Sequence, residues 1–277
     1  MGYITLNNFP SIGDTCSQIQ QYASLLGIAE KTGMEAVMLM GVAGKWGNKF
    51  DKVLDLDIKW IDKNDFEWEM KKINGRIPLD EAVFNLDKNK NYIFHSMFHI
   101  HTYWDNIRDY VYETFKYKQD VLEKANEYIK SLNLSKEKKL VSIHNRRGDY
   151  VQVASLNLNR NYYHNALTEN FFSKDDVDDY VFLICTQDRN WFKANIWDEE
   201  SDRVIFVETG NDFVDMAVMS LCDHNIIANS SYSWWAAFLN RHEDKIIVCP
   251  DDYLGAGIVE YINENYSLEN WIRTKTK

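Results

Sequence analysis

The chain has 277 residues, of which 45% are hydrophobic and 26% are charged, with only 3 Pro and 12 Gly. This composition excludes a disordered or collagen-like chain and is typical of a globular protein with one large or two small domains. The formal net charge of −11 argues against non-specific binding to nucleic acid or to anionic membranes, so a polyanionic ligand would need a local basic cluster.

The sequence patterns tested for targeting signals and the spacing of the cysteines predict the cellular compartment. Residues 1–10 lack the basic and then apolar pattern of a signal peptide, and the longest apolar stretch is too short to span a bilayer. The cysteines are far apart and form no CxxC pair, which predicts buried free thiols in a reducing compartment. We therefore expect a cytoplasmic protein that has no transmembrane segment but could contact a membrane peripherally. The four cysteines are Cys16, Cys185, Cys222 and Cys249.

The first half of the chain alternates predicted strands and helices. Between residues 51 and 91 a charged stretch dotted with aromatic residues predicts loops and short helices, and the polar, Lys-rich segment 133–139 predicts a linker. The predicted strands are residues 3–6, 35–40 and 92–94, and the predicted helices are residues 15–31, 104–115 and 121–132.

The second half contains short apolar runs separated by helix-length segments such as 162–172 and 212–222. Because the runs are nearly continuous in apolar residues, they predict a parallel sheet covered by helices on both faces. In such sheets, ligands bind beyond the carboxyl ends of the strands. The predicted strands are residues 140–144, 181–185, 204–207, 225–228 and 245–249.

One of these strands ends in the sequence His144-Asn-Arg-Arg-Gly-Asp-Tyr150. Two adjacent arginines at a strand end can present guanidinium groups to phosphate oxygens with bidentate geometry, so Arg146 and Arg147 are a candidate diphosphate clamp. The alternative is that they are surface charges paired with nearby carboxylates. His144 is equally open to a functional role and to a structural one.

A second polar cluster follows the strand at 225–228. Small polar residues, Asn229, Ser230, Ser231 and Ser233, stand where the next helix begins, and a helix amino terminus offers free N–H groups and a positive dipole end to a phosphate. A simple serine N-cap is the alternative. Trp234 and Trp235 are interpreted as packing residues.

Two aspartates have simpler interpretations from the residues alone. Asp188 either bonds a ligand or caps the helix that follows it, and the cap is the favoured interpretation. Asp215 is expected to complement a helix dipole. The sequence contains no Walker phosphate loop, GxGxxG, HExxH or GxSxG motif and no Cys/His metal cluster.

Taken together, the segments 144–150, 215–221 and 226–237 resemble the α-1,2-fucosyltransferases in residues, order and spacing, and a weaker similarity covers 18–23 and 104–115. The resemblance implies an α/β fold of GT-B type, with two facing Rossmann-like domains built on parallel sheets. Residues 1–135 would form the acceptor-side domain. Residues 136–277 would bind GDP-fucose, with the last helix packing back on the first domain.

The resemblance also implies a reaction and residue roles. The family transfers L-fucose with inversion from GDP-β-L-fucose to the 2-hydroxyl of a galactose in a glycan, without a metal and with no cofactor beyond the co-substrate. Arg146 and Arg147 would hold the diphosphate and Arg147 would support departure of GDP, while His144 would contact the nucleoside. In the wider superfamily an aspartate sixteen positions before a phosphate-binding serine accepts from guanine N1 and N2, and that spacing links Asp215 to Ser231. The remaining donor-site residues would be Asn229, Ser230 and Tyr232.

The catalytic base and the acceptor follow less directly from the resemblance. Asp149 is the candidate base, with a structural bond to its turn as the alternative. Residues 10–22 lack the family's Gly-rich loop, and 151–160 lack its Gly/His-rich character, so the acceptor can differ. The alternatives are a fucosyltransferase of another linkage or a non-catalytic protein that binds a GDP-sugar or a glycan.

Overall fold

The structure is a computed structural model that describes residues 1–7, 15–41, 49–75, 79–153, 156–172, 177–197, 201–253 and 266–276. The chain divides into two compact units, Met1–Lys118 and Gln119–Lys277. Residues 119–135, which belong to the first domain expected from the sequence, group with the second unit. None of the helices in these described ranges is long and apolar enough to cross a membrane.

The first unit is built around a parallel sheet with the strand order β2-β1-β7-β6. Two smaller pairings, β3 with β5 and β4 with β8, lie beside it in the same unit. The strands are β1 (Tyr3–Leu6), β2 (Glu35–Ala36), β3 (Met38–Leu39), β4 (Leu54–Asp55), β5 (Trp60–Ile61), β6 (Glu69–Lys72), β7 (Tyr92–His95) and β8 (Lys116–Tyr117). The α-helices are α1 (Thr15–Thr32), α2 (Phe50–Val53) and α3 (Arg108–Thr114).

Three predictions for the first unit need correction. The single strand predicted at 35–40 is two strands, because the Val37 amide bonds to Ile4 of the main sheet whereas the Met38 amide bonds to Lys59. The helix predicted from residue 104 begins at Arg108, after a 3-10 turn at Asp105–Ile107. The charged stretch also contains strands. One of them, β6, is an exposed edge strand, so its sequence carries no apolar signal.

The second unit contains a wholly parallel sheet with the order β11-β10-β9-β12-β13-β14. The strands are β9 (Lys139–Asn145), β10 (Tyr180–Thr186), β11 (Val204–Phe206), β12 (His224–Ile226), β13 (Ile247–Pro250) and β14 (Ile272–Thr274). The helices are α4 (Gln119–Ser131), α5 (Arg160–Leu167), α6 (Arg189–Asn195), α7 (Asp212–Ser220) and α8 (Ser231–Phe238). A π-helical segment, Thr168–Phe172, extends α5.

The core of this unit explains why the apolar runs became buried strands. Val141, Ile143, Phe182 and Ile184 are fully buried together with the aromatic side chains of α5. The prediction of buried free thiols is confirmed for all four cysteines. The last described segment is β14, while residues 254–265 are outside the described ranges, so the predicted final helix stays a prediction.

The order of the strands determines which strand ends lie side by side. The chain builds outward from β9 through β10 to β11 and then returns through α7 to β12, which pairs with β9 on its other side. The carboxyl ends of β9 and β12 therefore form a topological switch point, where open α/β sheets bind their ligands.

Candidate active site

The two polar segments singled out in the sequence leave the sheet side by side at this switch point. Ile143 of β9 is in register with Ile226 of β12, so residues 144–149 and 227–231 emerge at the same edge. A hydrogen bond of 2.8 Å between His144 Nδ1 and Ser233 Oγ joins the two segments directly.

Arg147 is a buried cation held chiefly by neutral groups. Its side chain is only 8% exposed. Nη1 donates to Asn157 Oδ1 at 2.5 Å, and the guanidinium carbon lies 4.1 Å from the centre of the Trp191 ring. Among the described residues, the one carboxylate within ion-pair distance is Asp188, at 4.0 Å from Nε, and Nε has no hydrogen-bond partner there. A buried guanidinium with incomplete charge compensation favours an incoming anion.

Arg146 has a different environment. Its Nη2 donates to Asp149 Oδ1 at 2.7 Å, and its guanidinium carbon lies 5.1 Å from the Tyr150 ring centre. Asp149 is 71% exposed, so this ion pair is at the surface and open to exchange with a ligand. Within the described part of the chain, Arg146 Nε is buried without a hydrogen-bond partner.

The turn after the arginines depends on glycine. Gly148 has a φ of +51°, in the left-handed region that other residues rarely adopt. A Cβ atom at this position would lie 2.6 Å from Gln187 Oε1. The turn is closed by the Tyr150 amide, which donates to the Arg147 carbonyl at 3.0 Å.

His144 is buried and neutral. Burial, with a smaller effect from the nearby Arg146 charge, lowers the pKa of its imidazole to about 3. Its ring lies 5.4 Å from that of Tyr232, and its carbonyl accepts from the Tyr163 hydroxyl at 3.3 Å. The imidazole can therefore donate or accept a hydrogen bond but does not carry charge at neutral pH.

The amino terminus of α8 is the second half of the site. Ser230 caps the helix by accepting from the Tyr232 amide, which fits the capping interpretation. The amides of Ser231 and Ser233 lie in the first turn, where helical amides have no partner within the helix. Asn229 Nδ2 donates to the Leu156 carbonyl, while its Oδ1 is buried without a partner in the described ranges.

Asp215 lies in the first turns of α7, and a contact links this helix to α8. The Tyr232 hydroxyl donates to the Asp212 carbonyl at 2.5 Å. Asp215 Oδ1 accepts from the amide and the hydroxyl of Thr209. Burial raises the pKa of Asp215 above its ordinary value, against the lowering effect of the Thr209 hydrogen bonds.

Sequence reasoning missed two residues of this arrangement, Asn157 and Trp191, both of which contact Arg147. No local motif marks them. Asp188 does cap α6, as predicted, because its Oδ1 accepts from the Trp191 amide at 2.9 Å. For Trp191 this cap is the one signal in the sequence, because an N-cap side chain bonds to an amide of the first helical turn. Asn157 has no such signal.

Two further observations define the surroundings. Trp234 and Trp235 are buried, and Trp234 stacks on Phe238, so their interpretation as packing residues is confirmed. The described residues contain no group of three or more His, Cys, Asp or Glu side chains arranged to hold a metal ion.

Comparison with known proteins places this geometry in context. Residues 58–275 match the family described as Glycosyl transferase family 11. The chain is 29% identical over 195 residues to the O-antigen biosynthesis glycosyltransferase WbnK of Escherichia coli, covering 68% of this chain and 62% of that protein. It is 37% identical over 120 residues to an alpha-1,2-colitosyltransferase of Escherichia coli, covering 40% and 39% of the two chains.

A more distant relative is the galactoside alpha-(1,2)-fucosyltransferase 1 of Lagothrix lagotricha. The identity is 23% over 235 residues, which cover 80% of this chain and 62% of that protein. The chain thus spans less than two thirds of the length of each of these three relatives.

Solved structures share the fold. The crystal structure of POFUT1 in complex with GDP-fucose aligns with a TM-score of 0.58 at 10% identity, over 89% of this chain and 98% of that one. The fucosyltransferase NodZ from Bradyrhizobium aligns with a TM-score of 0.54 at 12% identity, over 85% and 91% of the two chains. The predicted α/β fold of GT-B type with parallel sheets is confirmed.

Proposed function

The chain belongs to glycosyl transferase family 11, and we propose that it transfers L-fucose from GDP-β-L-fucose to the 2-hydroxyl of a galactose in a glycan acceptor, with inversion and without a metal. One observation carries the proposal. A buried guanidinium with incomplete charge compensation, that of Arg147, lies at the switch point where the amino terminus of α8 begins. A nucleoside diphosphate supplies the anion that this arrangement favours.

The donor diphosphate would bind between the arginines and α8. Arg146 and Arg147 offer charge-assisted hydrogen bonds, and Asn229, Ser230 and Ser231 offer amides at a positive helix end. The Tyr232 amide would exchange its bond to Ser230 Oγ for one to the phosphate. As the bond between sugar and phosphate breaks, negative charge grows on GDP, and preorganised donors stabilise that charge. Guanidinium groups can perform this task, so the proposed reaction needs no divalent cation.

The guanine base would be recognised by Asp215, with His144 near the nucleoside. The Asp215 carboxylate would accept from guanine N1 and N2, which requires its ionised form. Because burial raises its pKa, the proton returns at a higher pH than for an ordinary aspartate. We expect the preference for GDP over IDP, which lacks the 2-amino group, to fall as the pH drops through that raised pKa.

Calorimetric titration of GDP and IDP across pH 5–8 tests this recognition. Comparing the two nucleotides cancels the ionisation of the phosphates, which they share. Asp215→Asn should show little preference for GDP at any pH. A preference that survives in Asp215→Asn would assign guanine recognition to another group.

Asp149 has two proposed roles, which the kinetics and GDP affinity of an Asp149→Asn variant can separate. It can act as the base for the acceptor hydroxyl, or it can hold Arg146 through the 2.7 Å ion pair. Asp149→Asn should lower kcat with little change in GDP affinity if it is the base. A change confined to donor affinity supports the second role.

A galactose acceptor and α-1,2 linkage are supported by the name of the fucosyltransferase relative. A second candidate function is colitosyl transfer, favoured by the name of the relative that is 37% identical over 120 residues. Colitose lacks the 3-hydroxyl of fucose, so both proposals use the same diphosphate chemistry.

The experiment that tests the function measures GDP release from GDP-fucose and from GDP-colitose in the presence of EDTA, across galactose-terminated acceptors. Acceptor-dependent release that Arg147→Ala abolishes, with an α-1,2 linkage in the product by NMR, is the expected result. GDP binding without turnover would favour a non-catalytic binding protein. Failure to bind GDP would overturn the proposal.

A further inference from the structure

Three groups lie close to the Arg147 guanidinium and leave most of its charge available. Asn157 contacts Nη1, the Trp191 ring lies 4.1 Å from the guanidinium carbon, and Asp188 is 4.0 Å from Nε. An amide oxygen and an indole face fix a guanidinium without neutralising it. Arg146, by contrast, is matched with a carboxylate at 2.7 Å.

The position of the Trp191 ring is itself fixed by two contacts. Its backbone amide donates to Asp188 Oδ1 in the cap of α6, so the cap anchors the residue that carries the ring. Its ring also makes an edge contact, 6.5 Å between centres, with the buried Tyr163. With Oδ1 engaged in the cap, Asp188 contacts Arg147 only weakly, through Oδ2.

We propose that Trp191 is a positioning residue for Arg147, whose guanidinium it holds in the orientation that receives the donor diphosphate. The inference rests on the proposed function, because it requires that Arg147 bind the diphosphate. A flat π face restrains the plane of the guanidinium while the charge stays available to the ligand. An aliphatic side chain at 191 would fill space but exert no such attraction.

GDP affinity in a set of variants tests this inference. Trp191→Leu should weaken GDP binding about tenfold, and Trp191→Phe, which keeps a π face, should recover most of that loss. In an Arg147→Met background, Trp191→Leu should cost less than about twofold, because the partner of the ring is gone. In an Arg146→Met background the tenfold loss should persist.

Trp197→Leu is the matched control, since Trp197 is a partly buried tryptophan of the same unit that packs against Phe182 and not against Arg147. It should leave GDP affinity within about twofold of the unsubstituted chain. Thermal melts of every variant report folding separately from affinity.

The outcomes separate this inference from the proposed function. If the unsubstituted chain binds GDP and Trp191→Leu costs the same factor with and without Arg147, Trp191 has only a structural role and the inference is overturned. If the unsubstituted chain does not bind GDP, the proposed function is overturned as well. A loss that depends on Arg147 and not on Arg146 supports the inference.

Discussion

At the residue scale, the candidate site is built on a strand end that carries two arginines with different surroundings. Arg147 is buried and held chiefly by neutral partners, whereas Arg146 is paired with the exposed Asp149. Desolvation strengthens the interaction of a cation with an incoming phosphate. Arg147 is therefore expected to contribute more to donor binding than Arg146.

Arg147→Lys should lower kcat/KM about 10- to 100-fold, because lysine retains the charge but loses the planar fork that binds two phosphate oxygens. Steady-state kinetics with a saturating acceptor measures the effect. Arg146→Lys is the matched control and should lose less. Equal losses in the two variants would contradict the distinction between them.

His144 makes a prediction about stability and pH. Its pKa is about 3 in the folded chain and near 6.5 when unfolded, so the unfolded state binds the proton first as the pH falls. The free energy of unfolding should therefore decrease below pH 6.5, with a contribution from this residue of about 1.5 kcal/mol between pH 6.5 and 5.

Urea unfolding of His144→Gln at both pH values measures that contribution. The variant should lose less stability on acidification than the unsubstituted chain, since glutamine does not titrate. Carboxylates are common to both chains, so the difference isolates the histidine. Identical pH dependence in both chains would show that His144 is not buried in its neutral form.

At the scale of elements, the site depends on how β9 and α8 end and begin. β9 turns at Gly148 directly after the arginines, and α8 begins with the Ser230 cap directly after β12. Both ends emerge at the same edge because β9 and β12 are neighbours in the sheet. The turn and the cap thus set the spacing between the guanidinium groups and the helix amides.

Gly148→Ala should lower both the free energy of unfolding and the affinity for GDP. Alanine at a φ of +51° costs about 1–2 kcal/mol, and its Cβ would lie 2.6 Å from Gln187 Oε1, which must move. Gly41→Ala is the matched control, because Gly41 has a φ of +69° and a Cβ added there would have no atom of the described residues within 4 Å.

Calorimetric GDP titration and urea unfolding of both variants check this prediction. Gly41→Ala should lose stability alone, whereas Gly148→Ala should also lose GDP affinity. Unchanged affinity in Gly148→Ala would show that the turn does not set the position of the arginines.

At the scale of the whole molecule, a chain of net charge −11 is proposed to bind a polyanion. The binding must then be local, at one edge of the second sheet. The opposite edge of that sheet carries a polar pocket of about 410 Å³, lined by residues that include Lys139, His224 and Glu243. It lies at the amino ends of the strands, so it serves as a reference region at which GDP should not bind.

Hydrogen–deuterium exchange with and without GDP should locate the ligand. We expect slower exchange at 144–149, 209–215 and 229–234, since ligand binding protects amides that it contacts or orders. Exchange at 139–140 and 242–246, on the opposite edge, should stay unchanged. Protection confined to that opposite edge would contradict the assigned site.

The parallel sheet of the second unit could be predicted from the sequence alone, and so could the candidate residues at its ligand-binding edge. Continuous apolar runs need burial on both faces, so they predicted parallel strands, and polar residues at the ends of those strands predicted the ligand-binding edge. These signals are local, because a strand and the residue that follows it are adjacent in the chain. In the first unit the sequence did not predict short edge strands such as β6, because few of their residues are buried and their sequences lack apolar runs.

Which of these residues meet, and in what protonation state or environment, depends on the tertiary structure. The pairing of β9 with β12 brings Ser233 to His144, and the cap of α6 brings Trp191 to Arg147. These contacts join residues far apart in the chain, so no local pattern encodes them. Burial, which depends on the same packing, keeps His144 neutral, because the low dielectric of the folded interior disfavours its charged form. The same packing gives Arg147 mainly neutral partners, which leave its charge available to a ligand.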